Sequence, residues 1–90
     1  MSDVYARTFS VGTAAVMIVS PHSQSQRVIV HDHTKSASRD LYVGGDDVST
    51  SNGLHILQTQ SQEIMLSPGK GLFAIVNQDT VDTQVFVTRL

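Results

Sequence analysis

Apolar residues along this chain of 90 residues occur in short runs separated by polar turns. Alternation at every second position is typical of a half-buried β-strand, and it is clearest where Val85 and Val87 fall on one face and Phe86 on the other. No apolar stripe repeats with the period of about 3.6 residues that an α-helix needs. The pattern predicts seven or eight short strands, over residues 4–11, 14–19, 27–31, 41–43, 54–57, 63–66, 72–76 and 84–89.

Turn residues separate these predicted strands at regular intervals. Ser67-Pro68-Gly69-Lys70 has proline and glycine at the two central positions of a type II turn, and Asn52-Gly53 is a second strong turn pair. Turns about every 8–12 residues favour a small antiparallel sandwich or a jelly-roll-like barrel. We therefore expect residues 1–90 to form a single all-β domain, with polar loops over 20–26, 32–40 and 44–53 and a polar connection, or weak edge strand, over 58–62.

Composition narrows the class of partner. The net charge is −2, and the six basic residues are scattered, which argues against nucleic acid as a ligand. No apolar run approaches the roughly 20 residues of a membrane span, and residues 1–5 do not resemble a signal peptide. The chain has no cysteine, so neither a disulfide nor a thiolate metal site is expected. We expect synthesis in the cytoplasm and binding to other proteins.

Histidines suggest one candidate metal site. On an extended strand His31 and His33 point to the same face, where two imidazoles are able to hold Zn²⁺ or another transition metal. A stable site needs a third ligand, for which folding would have to bring His22, Asp40 or His55 close. Surface histidines at a strand end are the favoured interpretation, so no metal or cofactor is expected. A cupin-like metalloenzyme is the alternative that this pair of histidines leaves open.

The polar segment 44–53 is the candidate contact loop. Its carboxylates and hydroxyls match the oxygen ligands of Ca²⁺, but the spacing is not that of an EF-hand, and an Asx-type turn is favoured. A neutral surface rich in hydroxyl and amide groups suits a polar protein–protein interface. The candidate contact residues are Asp46, Asp47, Ser49, Thr50, Ser51 and Asn52.

Signatures of catalysis are missing from the sequence. No serine lies in a Gly-x-Ser-x-Gly motif, and Glu63 is the only glutamate, so a glutamate pair for acid–base work is absent. Gly69-Lys70-Gly71 lacks the rest of a phosphate-binding loop. We therefore expect a protein without enzymatic activity. The five aromatic residues are interpreted as core residues, with two of them as candidate exposed rings: Tyr5 and Tyr42.

Two segments resemble small virion proteins of tailed bacteriophages. They are Leu41-Tyr42-Val43-Gly44 with the polar loop that follows to Gly53, and Leu66 to Ile75 with its Pro-Gly turn. The likeness covers about half of the chain, from Leu41 to Val76, and the upstream strand Arg27 to Val30 also fits the pattern. The chain differs from that pattern at His31-Asp32-His33 and in its glutamine-rich connection. The shared positions are turns and core residues, and none is catalytic.

What the resemblance implies is a capsid decoration or cement protein of the virion. Its partner would be the phage major capsid protein or another virion protein, and copies would form a homo-oligomer such as a trimer, because cyclic assembly multiplies weak contacts. A carbohydrate- or receptor-binding module of a phage fibre or tail is the second hypothesis. Neither nucleic acid nor a membrane is an expected partner.

Overall fold

A computed structural model describes residues 4–33, 39–57 and 59–90, and the predictions for 1–3, 34–38 and Gln58 lie outside this part of the chain. The described residues form strands and connections, with no helix among them. The strands are β1 (Val4–Val11), β2 (Val16–Val19), β3 (Gln26–Asp32), β4 (Leu41–Gly44), β5 (Leu54–Ile56), β6 (Ser61–Leu66), β7 (Leu72–Val76) and β8 (Val81–Arg89).

The strands build two antiparallel four-stranded sheets. Sheet I has the order β1-β8-β3-β6 and sheet II the order β2-β7-β4-β5. Consecutive strands lie in different sheets except for the β4–β5 hairpin, so the chain crosses repeatedly between the layers. Eight strands arranged in this way in two sheets form a jelly roll. The predicted all-β antiparallel sandwich is confirmed.

The core lies between the sheets and consists of branched aliphatic side chains. Alternation places Val81, Val85 and Val87 of β8 against it, and β7 contributes Leu72 and Val76. All five are buried, as strands that pack on one face require. Side chains at the intervening positions of both strands therefore face outward, and they make up the surfaces described below.

Several strands extend further than the apolar pattern predicts. Gln26 and Asp32, which we assigned to loops, are the fully buried ends of β3. The Gln26 side-chain amide donates a hydrogen bond to the carbonyl oxygen of Ser20 at 3.0 Å. β6 begins at Ser61, and β8 at Val81 rather than at residue 84. Backbone pairing with a neighbouring strand continues through these polar residues, because it does not depend on side-chain polarity.

The predicted turn after β6 has the expected geometry. Gly69 has a φ of 82°, and the backbone N–H of Lys70 donates to the carbonyl oxygen of Ser67 at 3.1 Å. A positive φ at the third position is the requirement that glycine meets in a type II turn. The turn leads into β7, the all-apolar central strand of sheet II.

Candidate functional site

A shallow groove crosses the outer face of sheet I. Strand register places Ala6 of β1 and Ile29 of β3 on either side of Phe86, and the next row holds Thr8, Gln84 and His31. These six side chains, together with Arg7 and Val85, line the groove, which has a volume of about 400 Å³. They define what we call the groove. This volume lies within the range of about 300–1,000 Å³ that small-ligand sites occupy.

Phe86 lies at the centre of the groove and was assigned to the core by the sequence analysis. It is 44% exposed, because it occupies an outward position of β8 between the buried Val85 and Val87. The two-residue alternation of β8 already indicated an outward position for Phe86. Assigning the residue to the core on account of its aromatic side chain was wrong, and the groove was missed for that reason.

Polar contacts orient the side of the groove next to β6. The Nδ1 atom of His31 is hydrogen-bonded to the Ser61 hydroxyl at 2.9 Å. Arg27 donates to the carboxylate of Glu63 across the same pair of strands. The imidazole is thus held by one of its two nitrogens, and the two charges beside the groove compensate each other.

The outer face of sheet II has a different chemistry. Met17 lies opposite Phe73, and Ile75 lies opposite Tyr42. Met17 is 43% exposed, and the other three side chains are half-buried. We call these four residues the apolar face. It occupies the centre of sheet II, because Phe73 and Ile75 belong to β7 and Tyr42 to β4.

Polar groups border the apolar face on one side. The Tyr42 ring stacks on His55 with 4.9 Å between ring centroids and an interplanar angle of 23°. The Nε2 atom of His55 lies 3.3 Å from a carboxylate oxygen of Asp40. The backbone N–H of Asp40 in turn donates to the side-chain oxygen of Asn77 at 2.8 Å. This chain of contacts fixes the Tyr42 ring beside β5.

At the other end of the sheet the apolar face continues into a hollow of about 390 Å³. Met17 and Phe73 line it together with Asp46, Lys70 and the glycines of the β6–β7 turn. A carboxylate and an ammonium group therefore lie at the rim of an otherwise apolar surface. A polar rim around an apolar centre is the usual anatomy of a protein–protein interface.

The candidate contact loop between β4 and β5 is organised by its own hydrogen bonds. The side-chain oxygen of Asn52 accepts from the Ser49 backbone N–H at 2.7 Å, and its amide donates to the Asp47 carbonyl at 3.2 Å. The Ser49 and Ser51 hydroxyls lie 3.0 Å apart. Asn52 and Ser49 thus stabilise the turn.

Five of the six predicted contact residues of this loop are exposed, namely Asp46, Asp47, Thr50, Ser51 and Asn52, and Ser49 is half-buried. Of these, Asp46 also lines the hollow beside the apolar face. The structure therefore places one predicted contact residue next to a surface suited to docking. Contact by the residues of this loop, Asp46 included, stays a prediction.

The two histidines of the predicted metal pair lie side by side. The ring centroids of His31 and His33 are 5.8 Å apart with an interplanar angle of 49°. Asp40 and His55 pair with each other, and the Nδ1 atom of His22 accepts from the backbone N–H of Gln24. No group of three or more metal-ligating side chains is found within the described ranges. The third ligand that the site would need is not found there.

The described part of the chain contains no helix long and apolar enough to cross a membrane.

No family model and no curated protein matches the chain. A solved structure from Bacillus endospore appendages, which form a family of disulfide-linked pili, is similar with a TM-score of 0.65. The likeness covers 98% of this chain and 82% of that chain at 10% sequence identity, and it shows a shared fold. This chain has no cysteine and therefore lacks the residue that a disulfide linkage requires.

Proposed function

We propose that this protein is a non-enzymatic structural subunit that acts in many copies by docking through the apolar face of sheet II. The observation that carries the proposal is that the outer face of this sheet exposes Met17 and, in part, Tyr42, Phe73 and Ile75 to solvent. A contiguous exposed apolar patch with a polar rim marks an interaction surface. A strand that is apolar throughout, as β7 is, is typical of strands covered on both sides.

The sheet edges favour docking through a face over pairing through an edge. The edge strands β2 and β5 have four and three residues. The edge strand β1 carries an exposed charged residue, Arg7. Short edge strands and charged side chains on an edge are devices that oppose edge-to-edge pairing. Contact through the outer face of sheet II avoids these obstacles.

The size of the apolar face favours assemblies with many contacts. Four strands about 4.8 Å apart, with about four residues each rising about 3.3 Å, give sheet II an outer face of roughly 250 Å², of which the apolar face is a part. A stable pair of proteins usually buries about 800 Å² on each partner. One such contact is therefore weak, but repeated contacts on a symmetric scaffold raise the overall affinity. A subunit of a shell or filament meets this requirement.

In its narrower form the proposal is a capsid decoration or cement protein of a tailed phage, made in the host cytoplasm and bound to the major capsid protein. The two segments that resemble phage virion proteins contribute Tyr42, Phe73 and Ile75 to the apolar face. The use of the same fold in pilus subunits supports a structural role. Each copy would bridge neighbouring capsid subunits and oppose expansion of the shell.

Native mass and capsid binding test this function with a matched pair of variants. Ile75→Lys places a charge on the apolar face, and Ile29→Lys places one at an equivalent half-buried outward position of sheet I. We expect the wild type and Ile29→Lys to form homo-oligomers and to cosediment in stoichiometric amounts with capsids of the phage that encodes the chain. We expect Ile75→Lys to lose both properties while it keeps its β-sheet circular dichroism.

Two outcomes would contradict the proposal. A wild-type protein that stays monomeric and is absent from purified particles would rule out the structural role. Equal binding by Ile75→Lys and the wild type would show that another surface makes the contact. Oligomers that do not bind capsids would contradict only the narrower form of the proposal. They would exclude the capsid as the partner and leave a self-assembling subunit.

A further inference from the structure

The groove on sheet I is not explained by docking through sheet II, because the two surfaces lie on opposite sides of the sandwich. Its lining combines an exposed aromatic ring, aliphatic side chains, three neutral polar groups and the guanidinium of Arg7 around a volume of about 400 Å³. A concave, partly apolar site with a few convergent polar groups is the usual form of a small-ligand site. The chemistry of the lining identifies the class of ligand.

Phe86 provides the apolar floor. It lies on β8, between β1 and β3, and its neighbours in the row are Ala6 and Ile29. The short side chain of Ala6 leaves the ring accessible from the β1 side. An aromatic face carries partial negative charge, which attracts the polarised C–H groups on the apolar face of a sugar ring.

The adjacent row supplies hydrogen-bonding groups. Thr8, Gln84 and His31 come from three neighbouring strands and together span about 10 Å, given a strand spacing of about 4.8 Å. A hydroxyl, a carboxamide and an imidazole include both donors and acceptors, as sugar hydroxyls require. The Ser61 hydroxyl holds Nδ1 of His31, which orients the ring and leaves Nε2 as its second hydrogen-bonding atom.

The charge of the lining argues against a cationic ligand. Arg7 also lines the groove, and its guanidinium lies 5.2 Å from the centroid of the Tyr5 ring. Arg27 and Glu63, which lie beside the groove, form an ion pair with each other. A cationic ligand would therefore lose hydration and meet a like charge, whereas the hydroxyls of a saccharide accept hydrogen bonds from a guanidinium.

An extended peptide is a poorer occupant. The groove lies over β8, whose backbone pairs with β1 on one side and with β3 on the other. Peptides that add a strand to a sheet need an unpaired edge. A ligand in the groove must therefore interact with side chains, and sugars do so through hydroxyls and C–H faces.

We propose that the groove formed by Ala6, Thr8, Ile29, His31, Gln84 and Phe86, with Arg7 at its β1 side, is a binding site for a saccharide. Phe86 stacks against the apolar face of a sugar ring, while Gln84 and His31 hydrogen-bond to its hydroxyls. In a multi-copy assembly such sites would repeat on the surface, so a weak single contact would become a strong collective one.

Amide NMR titration and a glycan array test the site. The probes are methyl glycosides of glucose, galactose, mannose and N-acetylglucosamine at millimolar concentrations. We expect at least one to shift amide signals of β1, β3 and β8 while signals of β7 stay unchanged. Phe86→Ala and Gln84→Ala should each weaken binding about tenfold or more, and Ile75→Lys on the opposite sheet should leave it unaffected.

No array signal together with no amide shift for any probe would overturn the proposal. Binding that persists unchanged in both groove variants would place the sugar elsewhere and would overturn it as well. Shifts in the groove on adding a second, unlabelled copy of the chain would identify the groove as a self-contact instead. These outcomes are independent of capsid binding, so this proposal and the structural role can fail separately.

Discussion

Sheet I and sheet II bury similar aliphatic residues but differ in what they present to solvent. In sheet I the outward row of β8 holds Asp82, Gln84 and Phe86, which alternate with the buried residues Val81, Thr83, Val85 and Val87. In sheet II the outward residues of β7 are Phe73 and Ile75, so the strand is apolar on both sides. One sheet thus has an outer face of mixed polar and apolar residues with a groove, and the other has an apolar outer face with a polar rim.

This difference separates two requirements that a small domain has to meet. The inner faces maintain the fold, and a core of this size leaves little stability in reserve. The outer faces are free to diverge, because packing against the other sheet does not constrain them. The comparison therefore predicts that inner substitutions act alike in both sheets, whereas outer substitutions act on different partners.

The largest effect is expected from truncation of the inner face in either sheet. Leu41 of sheet II is 0% exposed and Leu66 of sheet I is 8% exposed. Leu41→Ala and Leu66→Ala should each lower the free energy of unfolding by about 2–5 kcal/mol, with Leu66 nearer the lower end, since each leaves a cavity. Urea denaturation measures this. If either variant lowered the free energy of unfolding by less than about 1 kcal/mol, the two sheets would not share one core.

A smaller effect is expected where the contact loop meets the apolar face. A Cβ at Gly53 would lie 2.8 Å from Cβ of Tyr42 and 3.0 Å from the Ser49 carbonyl oxygen. Gly53→Ala should therefore cost about 1–3 kcal/mol by overpacking and should also weaken docking through sheet II. Gly12→Ala is the control, because its Cβ would have no neighbour closer than 3.8 Å. Equal stability of the two variants would contradict this close approach.

Sequence and structure agree best where turn residues frame an apolar run. Gly44 and the Pro68-Gly69 turn mark the borders of β4 and β7, so both strands were predicted within one residue. The polar strand ends at Gln26 and Ser61 were not predicted, because they become part of strands only through pairing between β3 and β6, which are distant in sequence. The apolar run of β7 does not show which of its faces is inward. Neither does the sequence show the order of strands in a sheet.

The groove was predictable only in part. Alternation around Phe86 indicated an outward ring. Which residues of β1 and β3 lie beside that ring depends on the order of strands in the sheet, which is a property of the whole fold. The contact between His31 and Ser61 joins residues 30 positions apart. The apolar face was missed for the same reason, since Met17, Tyr42 and Phe73 meet only through pairing within sheet II.

Solvent conditions should separate the two faces further. Docking through the apolar face removes apolar surface from water, so its heat capacity change should be negative, and sulfate should strengthen it. Saccharide binding in the groove relies more on hydrogen bonds and should respond less to sulfate. Calorimetry at several temperatures, with and without sulfate, measures the heat capacity change and the sulfate dependence. It is applied to capsid binding or self-association for the apolar face and to the sugar titration for the groove. Equal responses of the two binding events would remove the chemical distinction between the faces.

The smallest effect is expected from the ion pair on the outer face of sheet I. The side chains of Arg27 and Glu63 are 53% and 49% exposed, so water screens their attraction. Exposed pairs of this kind contribute about 0–1 kcal/mol. A double-mutant cycle of Arg27→Ala and Glu63→Ala, measured by urea denaturation, should therefore give a coupling energy below about 1 kcal/mol, reduced further at high salt. A coupling above about 2 kcal/mol would mean that this outer face contributes to folding, and the division between a structural inside and a binding outside would no longer hold for sheet I.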